Sequence, residues 1–407
     1  MINAPKTVAI IGAGASGLMV ADVLSRYDVR VAVYEQMPSA GRKILWAGKT
    51  GLNVTHSEPM SEFVARYTPS DWLAPMLYRY DNQWLRGWLG ELGIKTFVGS
   101  SGRVFPIEMK ASKFLRAWLQ RLGSQGVQFF YRHACEKIDG NAITFNVQNN
   151  DNITRFTQSF DVIVLACGGG SYRRLGSDGV WQAWFGADEL MPLYASNVGV
   201  VRQWSAFMQD YFGQALKGVR LWVGDRQNAK QGDIVLSHYG FEGGLIYQAN
   251  RAMRQCLADK GEIELWLDLL PDKQLKDIVQ IFHKNRKQSL SNLFRKLGLD
   301  PLKIALLREC TPKSDWQDKT IMANHIKALH ISFDGFRPID EAISTGGGVV
   351  RDCLTDSLQL KRDKRIFCVG EMLDFDAPTG GYLLTACFAM GQVAGHGVVD
   401  FLTLIKK

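Results

Sequence analysis

Apolar residues run unbroken from 8 to 11, stop at Gly12, resume from 18 to 24, and return from 29 to 34 before Glu35. Such spacing predicts a buried strand, a helix and a second strand. Residues 162–165 repeat the buried-strand pattern and run into Gly168-Gly169-Gly170, so this strand is expected in the same parallel sheet. Between them, 60–122 carries Trp, Leu and Tyr at helical spacing, broken at 99–106, and these aromatics are expected in the core. Segments 127–135 and 142–147 read as strands.

From about 190 the pattern changes. Short runs at 198–201, 219–223, 233–237 and 263–267, separated by glycine-bearing turns, predict a small antiparallel sheet or barrel closed by Pro271. Residues 272–312 return to a helical period. The strand 365–369 then leads to Gly370-Glu371 and to Pro378-Thr379-Gly380-Gly381-Tyr382 before a terminal helix. The expected organisation is one discontinuous domain, 1–190 with 340–407, an inserted barrel at 191–271 and a small helical basic domain at 272–339.

The first turn carries the chemistry. Gly12-Ala13-Gly14-Ala15-Ser16-Gly17 lies between strand and helix, and Glu35 follows 23 residues after Gly12, closing the second strand. Gly12 permits the tight turn, Gly14 lets backbone approach a pyrophosphate, and Gly17 lets helix and strand pack. A helix opening at Ala15 and Ser16 presents free N–H groups to phosphate, and Glu35 can accept hydrogen bonds from an adenosine ribose. The segment Gly41-Arg42-Lys43, with Gly51 and Asn53 beyond it, is dense in glycine and positive charge and suits wrapping an anion.

Composition narrows the class. At 407 residues, with 46% hydrophobic content, the chain suits two or three domains. Seven Cys occur without a C-x-x-C, which indicates neither a redox dithiol nor a thiolate zinc site, and no metal is expected. The first strand begins at once and no apolar run reaches about 18 residues, so a soluble cytoplasmic protein without a membrane partner is expected. The net charge of +8 is uneven: 272–312 holds nine Lys/Arg against four Asp/Glu. This segment, including His283-Lys284-Asn285-Arg286-Lys287 and Arg295-Lys296, is either a solvated face or a phosphate-binding surface.

Two nucleotide-handling segments at opposite ends of the chain suggest a long ligand gripped at both ends, which favours FAD over NAD. The adenosine half falls on 12–35, and the flavin half on Glu371 and the Gly380-Gly381-Tyr382 helix start. No second G-x-G-x-x-G follows a strand run, so NAD(P)H is expected only as a transient electron donor.

With these residues in place, the chain resembles the bacterial flavoproteins called YhiN-like, BaiN-like or aminoacetone-oxidase-family FAD-binding enzymes. The matching segments are 10–17, 41–55, 103–106, 166–179, 238–240, 289–292, 345–349 and 369–382. The resemblance implies an α/β fold: a Rossmann-like two-dinucleotide-type FAD domain, an inserted antiparallel β-barrel and a small helical domain. Carried over by motif, FAD contacts are Gly12, Gly14, Ala15, Ser16, Gly17, Glu35, Gln36, Gly41, Arg42, Lys43, Gly51, Asn53, Cys135, Ala166, Gly168, Gly370, Glu371, Asp374, Gly380, Gly381 and Tyr382. Relatives carry Gly-Gly-Gly-Arg-Cys-Asn at 48–53, Asn at Leu383 and Ser-Gly-Pro in the barrel, so this chain reads as a distinct branch.

The activity implied is an FAD-dependent oxidoreductase. Two alternatives stand beside it: a flavin-dependent enzyme reducing uridine in ribosomal RNA, and a flavin-binding sensor or scaffold. The chain does not declare its catalytic residues. His238 and Tyr239 are candidates for proton supply, Cys167 for proximity to the cofactor, and Asp374 with Asp376 for cofactor binding and surface charge.

Overall fold

A computed structural model describes residues 5–149, 152–285 and 287–405. Packing divides the chain into two compact units: the residues up to Tyr194 with those from Ser344 onward, and Ala195–Ile343.

The first unit is built on a five-stranded parallel sheet. Its order is Ile366–Cys368, Val162–Leu165, Lys6–Ile11, Val29–Glu35 and Gln128–Tyr131. Register places Ile10 between Val33 and Val164. Val8, Ala9 and Ile10 are wholly buried, as the uninterrupted apolar run requires of a strand covered on both faces. The glycine turn therefore leaves the carboxyl end of the central strand, where open α/β sheets bind ligands.

Helix Ala15–Leu24 follows the turn and packs against the terminal helix Tyr382–Leu404. Close approach explains the glycines of the terminal helix. A Cβ on Gly391 would lie 2.6 Å from Met19 Cβ, and one on Gly395 would lie 2.7 Å from Val23 Cβ. The terminal helix has the length and apolarity of a membrane span, yet 67% of its most apolar window is buried within the fold. Trp88, Phe114 and Trp118 are buried beside Phe388 of this helix, so the aromatic run at 60–122 does supply core.

One expected strand is divided in the structure, and one further strand had no counterpart in the sequence pattern. The run at 127–135 divides into Gln128–Tyr131 and His133–Asp139, because Arg132 between them is left-handed (φ 60°). His133–Asp139 pairs instead with Ala142–Asn149, which pairs with Asn152–Ser159. Every residue of this last strand is exposed, so no alternation marked it in the sequence.

The second unit holds a seven-stranded sheet in the order Leu329–Phe333, Ile263–Asp268, Ala215–Trp222, Lys230–Ser237, Gly240–Glu242, Val200–Val201 and Gly335–Phe336. All its pairings are antiparallel. Helices Leu275–Lys284, Leu290–Leu297, Pro301–Cys310 and Lys319–Lys327 follow the strand Ile263–Asp268. Leu265, Leu267 and Ile331 of the sheet share one apolar core with Phe282, Phe294 and Leu306 of these helices.

Candidate functional site

The site begins where the central strand ends. Gly12 is left-handed (φ 107°), and a Cβ there would stand 2.3 Å from the Ala166 carbonyl oxygen. A Cβ on Gly17 would stand 2.1 Å from the Gly12 carbonyl oxygen, so the turn closes only with glycine at both positions. Gly14 differs from both: a Cβ there would meet no protein atom within 4 Å. The space in front of the helix start is open, and its N-cap Gly14 offers no side-chain acceptor. The first N–H groups of the helix therefore face that space unsatisfied. Ser16 Oγ is buried beside them without a partner.

Glu35 lies across the turn. Its Oε2 accepts the Ala13 N–H and its Oε1 the Met37 N–H, both at 2.9 Å. Burial raises its pKa, while the two N–H donors and the Arg42 charge oppose the rise. Each oxygen keeps a lone pair free for a hydroxyl donor. Gly12, Gly14, Glu35, Gln36, Gly41, Arg42, Lys43, Cys135, Ala166 and Gly168 all line one cleft. Gln36 Nε2 is spent on the Gly176 carbonyl at 2.8 Å. Gly41, left-handed at φ 65°, donates its N–H to Ala13. Tyr34, His133, Trp181 and Trp184 complete the wall, and no local sequence signal marked them.

A second cluster joins the two ends of the chain. Lys43 Nζ donates to Glu371 Oε2 at 2.6 Å and to the hydroxyls of Ser171 and Ser177 at 3.1 and 3.4 Å. Glu371 Oε1 accepts the Thr345 N–H at 3.1 Å. Gly370 packs on Ser16, where a Cβ would stand 2.2 Å from Oγ. Ser171, Ser177 and Thr345 were not singled out from sequence, although the two serines lie in the glycine-rich stretch after Gly168.

The terminal helix supplies a second uncapped start. Its N-cap, Gly381, has no side-chain bond, and the first turn has no acidic residue. Gly380 and Gly381 are left-handed, at φ 119° and 90°. The Tyr382 ring packs against Phe63 at 4.8 Å and its hydroxyl donates to Glu58, so its backbone N–H, not its phenol, remains for a ligand. Both amide atoms of Asn53 and the Nε of Arg42 are buried without partners. Gly51, at φ 134°, packs on Met109. The Asp374 N–H donates to Val349, and burial raises its carboxyl pKa.

Of the remaining candidates, Cys167 lines the same cleft, whereas His238, Tyr239 and the basic helices belong to the second unit. His238 is exposed at the turn between two strands of the second unit. Tyr239 donates to Glu242 beneath Arg337, and burial raises its pKa. Burial drives the Cys167 thiol well above its ordinary value and Cys135 to about 12, so both are neutral thiols. Asp376 pairs through its backbone with Thr68. In the basic helices Lys284, Lys287, Arg295 and Lys296 are exposed and Lys303 is buried, while Arg286 lies outside the described residues. Among the described residues, no three His, Cys, Asp or Glu gather as metal ligands.

The first unit thus fits an extended dinucleotide. It has open space at Gly14, two uncapped helix starts, the Glu35 carboxylate on the same cleft, and unpartnered buried groups at Ser16, Arg42 and Asn53.

Comparison with known proteins agrees. The family model described as the HI0933-like protein Rossmann domain matches residues 6–397. A 3-dehydro-bile acid delta(4,6)-reductase of Clostridium scindens is 24% identical over 413 aligned positions, covering 97% of this chain and 99% of that protein. Among solved structures, a flavocytochrome c3 fumarate reductase superposes with a TM-score of 0.51 at 12% identity, over 98% of this chain and 78% of that one. A 3-ketosteroid delta1-dehydrogenase from Sterolibacterium denitrificans gives 0.50 at 12% identity, over 97% of this chain and all of that one. These two likenesses establish the shared fold.

Proposed function

This chain belongs to the HI0933-like Rossmann family, and on that premise we propose that it is an FAD-dependent oxidoreductase acting on a small molecule, with NAD(P)H as a transient electron donor. The observation that carries the cofactor reading is the open space at Gly14, in front of an uncapped helix start, on the cleft that Glu35 also lines.

In this reading, Gly12, Gly14 and the first N–H groups of Ala15–Leu24 hold the pyrophosphate, and Glu35 holds the adenosine ribose. Cys135, Ala166 and Gly168 line the adenosine side. Lys43 and Glu371 hold the linker between the halves. Asn53, Gly381 and the start of the terminal helix orient the flavin end. When bound, FAD supplies hydride-type two-electron chemistry. The protein's part is to orient it, to exclude water from the buried Asn53 and Ser16 groups, and to set the local charge. Neutral Cys167 and Cys135 take no part as thiolates.

The bile-acid reductase relative supports reduction of an activated carbon–carbon double bond as the substrate reaction. Anaerobic mixing with NADH or NADPH tests the donor, and reoxidation by 3-oxo-Δ4,6 steroids tests the acceptor class. Bleaching of the flavin followed by steroid-dependent recovery supports the proposal; a flavin that neither nicotinamide bleaches contradicts the donor assignment.

A further inference from the structure

The first residue of the terminal helix is anchored more heavily than helix formation requires. The Tyr382 hydroxyl donates to Glu58 Oε1, its carbonyl accepts the Tyr67 hydroxyl at 2.8 Å, and its ring lies against Phe63 and His56. Glu58 is itself held by Arg66, whose Nη2 donates to Oε2 at 2.8 Å and whose Nε donates to Oε1 at 3.3 Å. The Glu58 side chain is 8% exposed, and the Arg66 side chain opens to solvent at 49%. One residue earlier, Gly381 lies so close to the strand Thr55–His56 that a Cβ would stand 2.6 Å from Thr55 N. Thr385, one turn in, bonds Thr55 Oγ1 at 3.0 Å.

These anchors surround an uncapped helix start with no acidic residue in its first turn. The favourable field of a helix N-terminus falls off within one turn, so its effect on a bound group depends on how firmly that turn is placed. Tyr382 and Glu58 lie 324 positions apart, so the clamp is a tertiary device and not a local cap.

We propose that Glu58, acting through Tyr382, is a positioning residue that fixes the start of the terminal helix against the flavin end of the site and thereby raises the reduction potential of bound FAD. The proposal rests on the FAD reading above. Arg66 keeps Glu58 charged and orients both its oxygens, and Tyr67 fixes the Tyr382 carbonyl from the other side. Loosening the clamp weakens the positive end of the helix where reduced flavin gathers negative charge, so oxidised flavin is favoured.

The test is a redox titration of the FAD-loaded protein, wild type against Tyr382→Phe, Glu58→Ala and Glu58→Gln, each checked for folding by its melting temperature. Tyr382→Phe and Glu58→Ala are expected to lose about ten-fold in preference for reduced over oxidised flavin, a fall of about 30 mV for a two-electron couple. Glu58→Gln keeps an acceptor for the phenol and is expected to stay close to wild type. Variants that hold FAD at the wild-type potential would overturn the clamp while leaving the cofactor reading intact. Wild-type protein that takes up no FAD would overturn both.

Discussion

Lys43 Nζ lies 2.6 Å from Glu371 Oε2, joining residues 328 positions apart across the site. Glu371 is 7% exposed and Lys43 28%, so the pair is sheltered on the carboxylate side. Removing one member of a buried pair leaves an uncompensated charge, whereas replacing both by apolar groups is often neutral. Lys43→Met is therefore expected to destabilise the fold more than the double variant Lys43→Met/Glu371→Leu. A double-mutant cycle on urea midpoints measures the coupling.

The two glycines of the turn have opposite expected phenotypes. Gly12→Ala forces a Cβ against the Ala166 carbonyl at a left-handed position, which should cost at least about 1–3 kcal/mol of stability. The Cβ of Gly14→Val meets no protein atom within 4 Å and the backbone there is ordinary, so its melting should match wild type while FAD titration fails. If Gly14→Val bound FAD normally, the space before the helix would not be the pyrophosphate site.

Glu35→Ala removes the acceptor assigned to the adenosine ribose. Loss of a charged hydrogen bond is worth about 1.5–3 kcal/mol, so FAD affinity should fall roughly ten- to hundred-fold. FMN lacks the adenosine, and its weaker binding should be unchanged. Parallel titrations with FAD and FMN give both numbers.

Glu58 gives the structure a pH signature. Burial raises its pKa, but the hydrogen bonds from Arg66 and Tyr382 and the Arg66 charge outweigh this and leave it below the ordinary glutamate value. A depressed folded pKa means the stabilisation is complete above the unfolded pKa and is lost as pH falls through the folded one. The melting-temperature gap between wild type and Glu58→Gln should be constant near neutrality and shrink on acidification below the ordinary glutamate range.

What the sequence made legible was local. Gly12 to Gly17 and Glu35 form one strand–turn–helix–strand unit whose geometry follows from adjacent residues, and Gly12, Ala13, Gly14 and Glu35 line one cleft. The parallel strand Val162–Leu165 was readable for the same reason, since a strand buried on both faces is apolar throughout. Partners set by tertiary packing were not readable. Nothing in the spacing links Lys43 to Ser171 and Ser177, or Glu58 to Tyr382. Asp22 shows the same limit from the other side: it interrupts an apolar helix yet is wholly buried, because Trp118 Nε1 bonds it at 2.8 Å and Arg121 neutralises it. The exposed strand Asn152–Ser159 escaped because its residues have no buried face to alternate with.

The most direct test is to denature the purified, desalted protein and identify any released cofactor by chromatography, with reconstitution of stripped protein as the companion step. FAD is expected at close to one per chain, or its uptake to that ratio by stripped protein. Protein that carries no flavin and takes up no FAD would contradict the cofactor reading.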